Sequence, residues 1–293
     1  MILKRLNTLR NRPDFRSNPC KALWKRILWH TRWKCISQPW LISLQNELKI
    51  SVPRSGTGAL IYYQSESEPL TNRFLISFLR PGMSFWDVGA HIGEHTLLAS
   101  RAVGNAGEIH AFEPSPDISS LLTSNVLLNG MDNVIVNQLA VSNAPKETTF
   151  EVFDEPAISC LTPDAGVDAR RSAIRQIHVS CTSLDEYSKG KRLPNLIKID
   201  VEGSELSVLD GMVKLLSREV NRAPTLIFEF CRTNTERFGY EPKRLITLLN
   251  AHGFMIYCLS KGGLIPLNLE ADNDHYPENN LIATKSEPCL HLA

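Results

Sequence analysis

The sequence predicts a doubly wound α/β fold, in which helices cover both faces of a mostly parallel sheet. Short apolar runs alternate with segments of helical periodicity from residue 84 to residue 284. The first run leads into a turn containing Gly89 and Gly93. Acidic residues follow several of the runs, at the carboxyl ends of strands, where open sheets of this class bind ligands. These three observations together favour a ligand-binding α/β domain.

The elements follow in order along the chain. Strands are predicted at 84–88, 108–112, 133–137, 195–199, 225–230, 254–259 and 281–284. Helices are predicted at 69–79, 94–103, 115–129, 204–218 and 241–252. Residues 147–180 interrupt the alternation with prolines and a cluster of arginines. We expect this insertion to lie over the cleft and to help select the substrate.

The turn after the first strand has the order Asp-x-Gly-x-x-x-Gly from Asp87 to Gly93. Dinucleotide folds use G-x-G-x-x-G, whose second glycine admits a pyrophosphate, so an NAD-dependent oxidoreductase is disfavoured. An acid at the end of the first strand suits a ligand with positive charge, which points to S-adenosylmethionine. The other reading is a tight strand-to-helix turn in an α/β domain of different function. The candidate cofactor-binding residues here are Asp87, Gly89, Ala90, His91, Gly93 and Thr96.

Further acids end the later strands. Glu113 follows the second strand, where a carboxylate can accept hydrogen bonds from both hydroxyls of a ribose. Asp200 and Glu202 follow the fourth strand, and Glu229 ends the fifth. Since these strand ends meet at one edge of the sheet, the acids should line the same cleft. Asp200 is therefore a candidate for cofactor contact as well as for catalysis.

The motifs taken together resemble the FkbM family of S-adenosylmethionine-dependent methyltransferases over roughly residues 70 to 258. They are Asp-Val-Gly-Ala-x-x-Gly-x-x-Thr (87–96), Phe-Glu-Pro (112–114), Asn-x-x-x-Asn (125–129), Ser-Leu-Asp (183–185), Ile-Lys-Ile-Asp-Val-Glu-Gly-x-Glu (197–205) and Val-Leu-x-Gly (208–211). The resemblance implies a seven-stranded class I methyltransferase sheet and methylation of a hydroxyl on a sugar, glycan or natural product. Family members commonly carry Asn and an aromatic residue where this chain has His91 and His95.

Methyl transfer to a hydroxyl requires alignment, exclusion of water and removal of a proton. We expect Asp200 or Glu202 to be the base, with Glu229 or His95 as alternatives. A divalent metal ion held by Asp200, Glu202 and Glu229 is a further alternative, because it would lower the pKa of the hydroxyl. Lys198, inside the fourth strand, is predicted to be structural.

Composition agrees with one enzyme domain and an appendage. The 293 residues are 43% hydrophobic and 22% charged. Seven scattered cysteines contain no C-x-x-C pair, so neither a disulfide framework nor a zinc site is indicated. Signal-peptide and membrane-span patterns are lacking in the sequence, which predicts a cytoplasmic protein.

Charge divides the chain unevenly. Residues 1–54 contain 12 Lys and Arg against two acids, a net charge of +10, and the remainder carries −9. We predict a basic helical extension over 1–54 and a methyltransferase domain over 55–293, with core motifs at 84–258. Residues 22–34 mix cations with three tryptophans at spacings compatible with a helix. This segment either packs on the catalytic domain as a cap or lies on the anionic inner face of a membrane.

Two other functions remain open at this stage. A nucleic-acid methyltransferase would use the basic extension on phosphates, but the acidic domain lacks an Asn-Pro-Pro-aromatic motif, and no nucleic-acid partner is expected. A non-catalytic membrane-associated protein that kept the fold would bind no cofactor.

Overall fold

The computed structural model describes residues 12–44, 47–154, 156–162, 173–268 and 279–287. These residues form two compact units, divided after Ser67. The helices described here do not combine the length and apolar character that a membrane span requires.

The first unit contains helices and a β-hairpin. Its elements are α1 (Pro13–Ser17), α2 (Pro19–Cys35), β1 (Trp40–Ser43), β2 (Lys49–Val52) and α3 (Gly56–Gln64). Strands β1 and β2 pair antiparallel, so the segment predicted as helical over 1–54 also contains strands. The Asn18 side chain caps α2 by accepting a hydrogen bond from the Lys21 amide. The buried Trp29 ring stacks on the rings of Trp40 and Tyr62.

The second unit contains the predicted alternation of strands and helices. Its elements are α4 (Pro69–Phe78), β3 (Ser84–Val88), α5 (Glu94–Val103), β4 (Glu108–Phe112), α6 (Pro116–Leu128), β5 (Val134–Asn137), β6 (Ala140–Val141), β7 (Lys146–Val152), β8 (Cys160–Leu161), β9 (Arg175–Thr182), α7 (Leu184–Tyr187), β10 (Leu196–Ile199), α8 (Glu205–Asp210), α9 (Val213–Leu216), β11 (Thr225–Glu229), α10 (Arg232–Thr235), α11 (Lys243–Ala251), β12 (Met255–Ser260), β13 (Gly263–Pro266) and β14 (Asn280–Thr284). Short 3₁₀ turns occur at Pro156–Ile158 and Glu236–Phe238.

The central sheet has, over the described residues, eight strands in the order β13-β12-β14-β11-β10-β3-β4-β5. Strands β11, β10, β3, β4 and β5 run parallel, and β14 pairs antiparallel with β11. The predicted α/β class and all seven predicted strands are confirmed. The resemblance implied seven strands, and the eighth, β13, forms a hairpin with β12 across Lys261 and Gly262. Its Pro266 and its short length make it a weak strand signal.

The order of the strands in the sheet predicts the position of the ligand-binding crevice. From β3 the chain proceeds through β4 and β5 to one side of the sheet, and β10 and β11 lie on the other side. Crevices in open α/β sheets form at such a reversal, outside the carboxyl ends of the strands. Strand β3 pairs directly with β10, with Asp87 opposite Lys198. The turn after β3 and the acids after β10 are therefore neighbours.

Two local features differ from the expected pattern. The helix predicted at 204–218 is divided into α8 and α9 at Gly211. A Cβ at Gly211 would lie 2.2 Å from the carbonyl oxygen of Ser142, so this chain crossing needs glycine. The insertion after β5 forms, as far as it is described, a second sheet in the order β6-β9-β7-β8. Arg170 and Arg171 of the predicted arginine cluster lie outside the described residues.

Candidate active site

The glycine turn after β3 passes very close to the end of β10. Gly89 has φ +82° and Gly93 has φ +94°, backbone conformations that favour glycine. A Cβ at Gly89 would lie 1.8 Å from the carbonyl oxygen of Asp200. His91 also has a positive φ of 50°. Ala90, between them, is buried. Glycine is required here by the approach of two strand ends.

Glu113 connects this turn to the end of β4. Its Oε2 accepts a hydrogen bond from the His91 amide at 3.1 Å, and its Oε1 accepts one from the Ser115 amide at 2.9 Å. Burial raises the pKa of Glu113 to about 7, although the two amide bonds act in the opposite direction. Each carboxylate oxygen retains a lone pair for a ligand hydroxyl.

Asp87 lies beneath the turn. Its side chain is fully buried, and Oδ2 accepts a hydrogen bond from the Thr96 hydroxyl at 2.6 Å. Because Asp87 faces Lys198 across the β3–β10 pair, a lysine supplies positive charge beside it. The geometry links Asp87 to the start of α5, and its predicted contact with the cofactor stays a prediction.

Replacing Thr96 with Val should lower the free energy of unfolding by about 1.5 kcal/mol, because the buried Asp87 carboxylate loses a donor while the volume stays nearly the same. Chemical denaturation measures the change. The control is Thr123→Val on the exposed side of α6, which should stay within about 0.5 kcal/mol of the wild type. Equal effects of the two substitutions would contradict a role for the Thr96–Asp87 bond.

The structure brings the three predicted acids together. Asp200, Glu202 and Glu229 each place a carboxylate oxygen so that the three oxygens lie within 4.8 Å of one another. The Asn234 amide donates to Glu202 and to Glu229, at 2.9 Å each. Burial and the adjacent charges of Asp200 and Glu202 raise the pKa of Glu229 well above its usual range. The cluster therefore retains a proton at a higher pH than separate carboxylates would.

Lys198 contributes a contact that the sequence pattern did not assign. Its ammonium group is buried in the sheet and lies 2.5 Å from Asp200 Oδ2. Burial opposes its charge, but Asp200, Glu68 and Asp87 outweigh burial and raise the pKa of Lys198. A charged residue inside an apolar strand is the sequence signal for such a contact, since a buried ammonium group needs acidic partners.

His95 pairs with Glu68, a second residue that sequence reasoning missed. The distance from His95 Nε2 to Glu68 Oε2 is 3.4 Å, and Asn280 donates to the same oxygen at 2.7 Å. Burial works against ionisation of Glu68, but Lys198 and His95 lower its pKa to about 2. The pKa of His95 is raised despite burial and Lys198, because Glu68 is its acceptor. Its role as an alternative base stays a prediction.

An open cavity lies at the carboxyl ends of β3, β4 and β10. Gly89, His91, Glu113, Asp200 and Glu202 contribute one part of its lining. The insertion contributes another part of the lining, through Phe150, Pro156, Ala157, Ser159 and Leu161. Its role in selecting the substrate stays a prediction. Burial lowers the pKa of His91 to about 4, so its imidazole is neutral near pH 7.

Comparison with known proteins gives the same assignment as the motifs. The family model of the methyltransferase FkbM domain matches residues 87–256. Hexuronic acid methyltransferase AglP of Haloferax volcanii is 31% identical over 133 residues, which are 45% of this chain and 50% of AglP. The chain thus spans about half the length of the curated relative that it matches.

Solved structures of methyltransferases show a distant likeness. Precorrin-6y C5,15-methyltransferase from Geobacter metallireducens is 15% identical, with 75% of this chain and 89% of that chain covered and a TM-score of 0.43. An S-adenosylmethionine-dependent O-methyltransferase from Thermotoga maritima is 13% identical, with 86% and 79% covered and a TM-score of 0.38. TM-scores this low carry no inference about chemistry.

Proposed function

Because this chain belongs to the FkbM methyltransferase family, we propose that it is an S-adenosylmethionine-dependent enzyme that methylates a hydroxyl of a sugar, glycan or natural product. One observation carries the proposal. The close turn at Gly89, the carboxylate of Glu113 and the acids Asp200 and Glu202 all line one cavity at the strand reversal. A cofactor site and a proton acceptor thereby lie side by side.

The residues present fit the cofactor. The space beside Gly89 and His91 is continuous with Glu113, whose carboxylate oxygens can each accept a further hydrogen bond. Gly89, His91 and Glu113 would hold the cofactor, and Asp200 borders it. When bound there, S-adenosylmethionine supplies an electrophilic methyl group.

The protein's own task is to orient the acceptor and take its proton. Asp200 or Glu202 would accept the proton that the acceptor hydroxyl loses when its oxygen takes the methyl group and the cofactor sulfur is left as a neutral thioether. Lys198 keeps Asp200 in one position through its 2.5 Å contact. Phe150 and Leu161 contribute apolar surface to the same cavity, which reduces the room for water beside the reacting groups.

A sugar acceptor is favoured by the relative. AglP is named as a methyltransferase of hexuronic acid, and sugars offer hydroxyls of the required kind. The test is transfer of labelled methyl from S-adenosylmethionine to a panel of neutral sugars, uronic acids, nucleotide sugars, glycans and nucleic acids. We expect label in a carbohydrate fraction, stable to base as an ether. Label only in nucleic acid, or none despite cofactor binding by calorimetry, would contradict the proposal.

Metal dependence can be tested on the same reaction. We expect turnover to persist after treatment with EDTA, because Asn234 bridges Glu202 and Glu229 and a proton offsets part of the charge of the cluster. Loss of turnover that Mg²⁺ restores, together with the same loss in Glu229→Gln, would instead favour the metal alternative at Asp200, Glu202 and Glu229.

A further inference from the structure

Two charged residues of helix α2, Lys25 and Arg26, make contacts with the rest of the N-terminal unit. The Lys25 ammonium donates to the carbonyl oxygens of Tyr62 and Tyr63 at 2.9 and 3.1 Å. The Arg26 guanidinium pairs with Asp14 at 2.6 Å and lies 4.4 Å from the centre of the Tyr63 ring. Trp29, one turn further, is buried in the aromatic cluster of this unit.

The opposite face of α2 is apolar and exposed. Leu23, Trp24, Ile27 and Leu28 have exposed fractions between 37% and 59%. At 100° per residue, these four side chains occupy an arc of about 140°. Cys20 and Cys35 are also exposed, and their positions fall within the same arc.

Contacts within the N-terminal unit prevent α2 from rotating to bury this apolar face. Rotating α2 to bury the four apolar side chains would break the bonds of Lys25 to the two carbonyl oxygens and the ion pair of Arg26 with Asp14. It would also expose Trp29, whose burial contributes several kcal/mol in a typical core. The apolar arc is therefore held outward by the fold, and clustered exposed apolar surface of this kind marks interaction sites.

The charged residues around the apolar arc indicate which kind of partner binds there. The exposed cations Lys21 and Lys34 and the exposed His30 lie at or near its borders. Residues 12–67 contain nine Lys and Arg against three acids. An apolar face bordered by cations matches an anionic lipid surface, in which acyl chains lie beneath phosphate groups, and Trp24 suits the boundary between the two.

We propose that the outward face of α2 binds the surface of an anionic lipid bilayer, with Leu23, Trp24, Ile27 and Leu28 inserted at the level of the headgroups. The helix lies in the plane of the interface. This surface is independent of the proposed catalytic cavity, so each can be tested without the other.

Co-sedimentation of the full-length chain with vesicles tests this interaction. We expect binding to phosphatidylglycerol/phosphatidylcholine vesicles at low salt, little binding to pure phosphatidylcholine, and release at high salt because charge attraction is screened. Ile27→Glu should weaken binding at least tenfold. The matched control is Leu127→Glu, the same change at an exposed leucine of α6, which should bind like the wild type. The double variant Lys21→Glu/Lys34→Glu should bind anionic vesicles no better than pure phosphatidylcholine vesicles.

Thermal unfolding of each variant checks that the fold is retained. Maleimide labelling read by peptide mapping gives a second measure, since vesicles should protect Cys20 and Cys35 while Cys231 keeps its rate. Absence of wild-type binding at low salt, or equal binding by Ile27→Glu and the wild type, would overturn the proposal. A concentration-dependent dimer that Ile27→Glu dissociates, without vesicle binding, would assign the face to a second copy of the chain instead.

Discussion

Asp200→Asn and Glu202→Gln should each give a folded protein that binds S-adenosylmethionine, and at least one should lose about 10²- to 10⁴-fold in turnover. The amides keep the shape of the carboxylates but cannot accept the hydroxyl proton. Single-turnover transfer of labelled methyl measures the rate, and calorimetry measures cofactor binding. The control is Glu236→Gln, an exposed carboxyl close by in sequence, which should leave the rate unchanged.

Glu229 allows a sharper version of the same experiment. Burial and its acidic neighbours raise its pKa well above the usual range, so Glu229 keeps a proton up to a higher pH than a free carboxyl does. Gln resembles the protonated carboxyl, and Glu229→Gln should therefore keep most of its turnover near neutral pH. Near-normal turnover in Asp200→Asn and Glu202→Gln, with a large loss in Glu229→Gln, would transfer the role of base to Glu229. Normal turnover in all three would leave His95→Gln as the next variant.

Glu113→Ala should lower the affinity for S-adenosylmethionine at least about tenfold. Charge-assisted hydrogen bonds to the ribose hydroxyls are worth roughly 1.5 to 3 kcal/mol each, and the substitution also removes the acceptor of the His91 and Ser115 amides. Calorimetry on the folded variant measures the change. Asp117→Ala, which removes an exposed carboxyl from the start of α6, is the control.

The pKa of Glu113 adds a dependence on pH. Burial raises it to about 7, so the carboxyl gains a proton as the pH falls below 7 and then loses an acceptor. Affinity for the cofactor should therefore increase from pH 6 to pH 8. The increase should be smaller in Glu113→Gln, which does not titrate. Unchanged affinity in Glu113→Ala at every pH would refute the assignment to the ribose.

Much of the fold could be predicted because the responsible signals are local. The apolar run at 84–88 is a buried strand, and Gly89 marks a turn that no residue with a Cβ could form. The apolar run that begins at Leu196 also predicted a buried strand, and the acids that follow it belong to the family motif. The family resemblance also depends on motifs whose residues are separated by only a few positions. Strand β13 was not predicted, because four residues that end in proline show too little alternation of apolar and polar side chains.

The candidate site could be predicted only in part. Asp200, Glu202 and Glu229 were expected near one another because their strands are neighbours, and the structure places their oxygens within 4.8 Å. Lys198 looked structural, yet it contacts Asp200 directly. His95 was expected only as an alternative base, and its pairing with Glu68 was not predicted. Nothing in the local pattern around Glu68 indicates that partner.

By itself, the sequence determined the order of strands and helices, the glycine turn and the acids at the strand ends. These depend on side-chain periodicity and backbone freedom, which act over a few residues. Only the tertiary structure decided which charges meet, as with Asn280 and Glu68, which are 212 positions apart. It also decided that α2 bonds the half-buried Lys25 to Tyr62 and exposes Ile27. A side chain's partner and its exposure depend on residues that the fold brings together from distant positions, and no local pattern encodes that proximity.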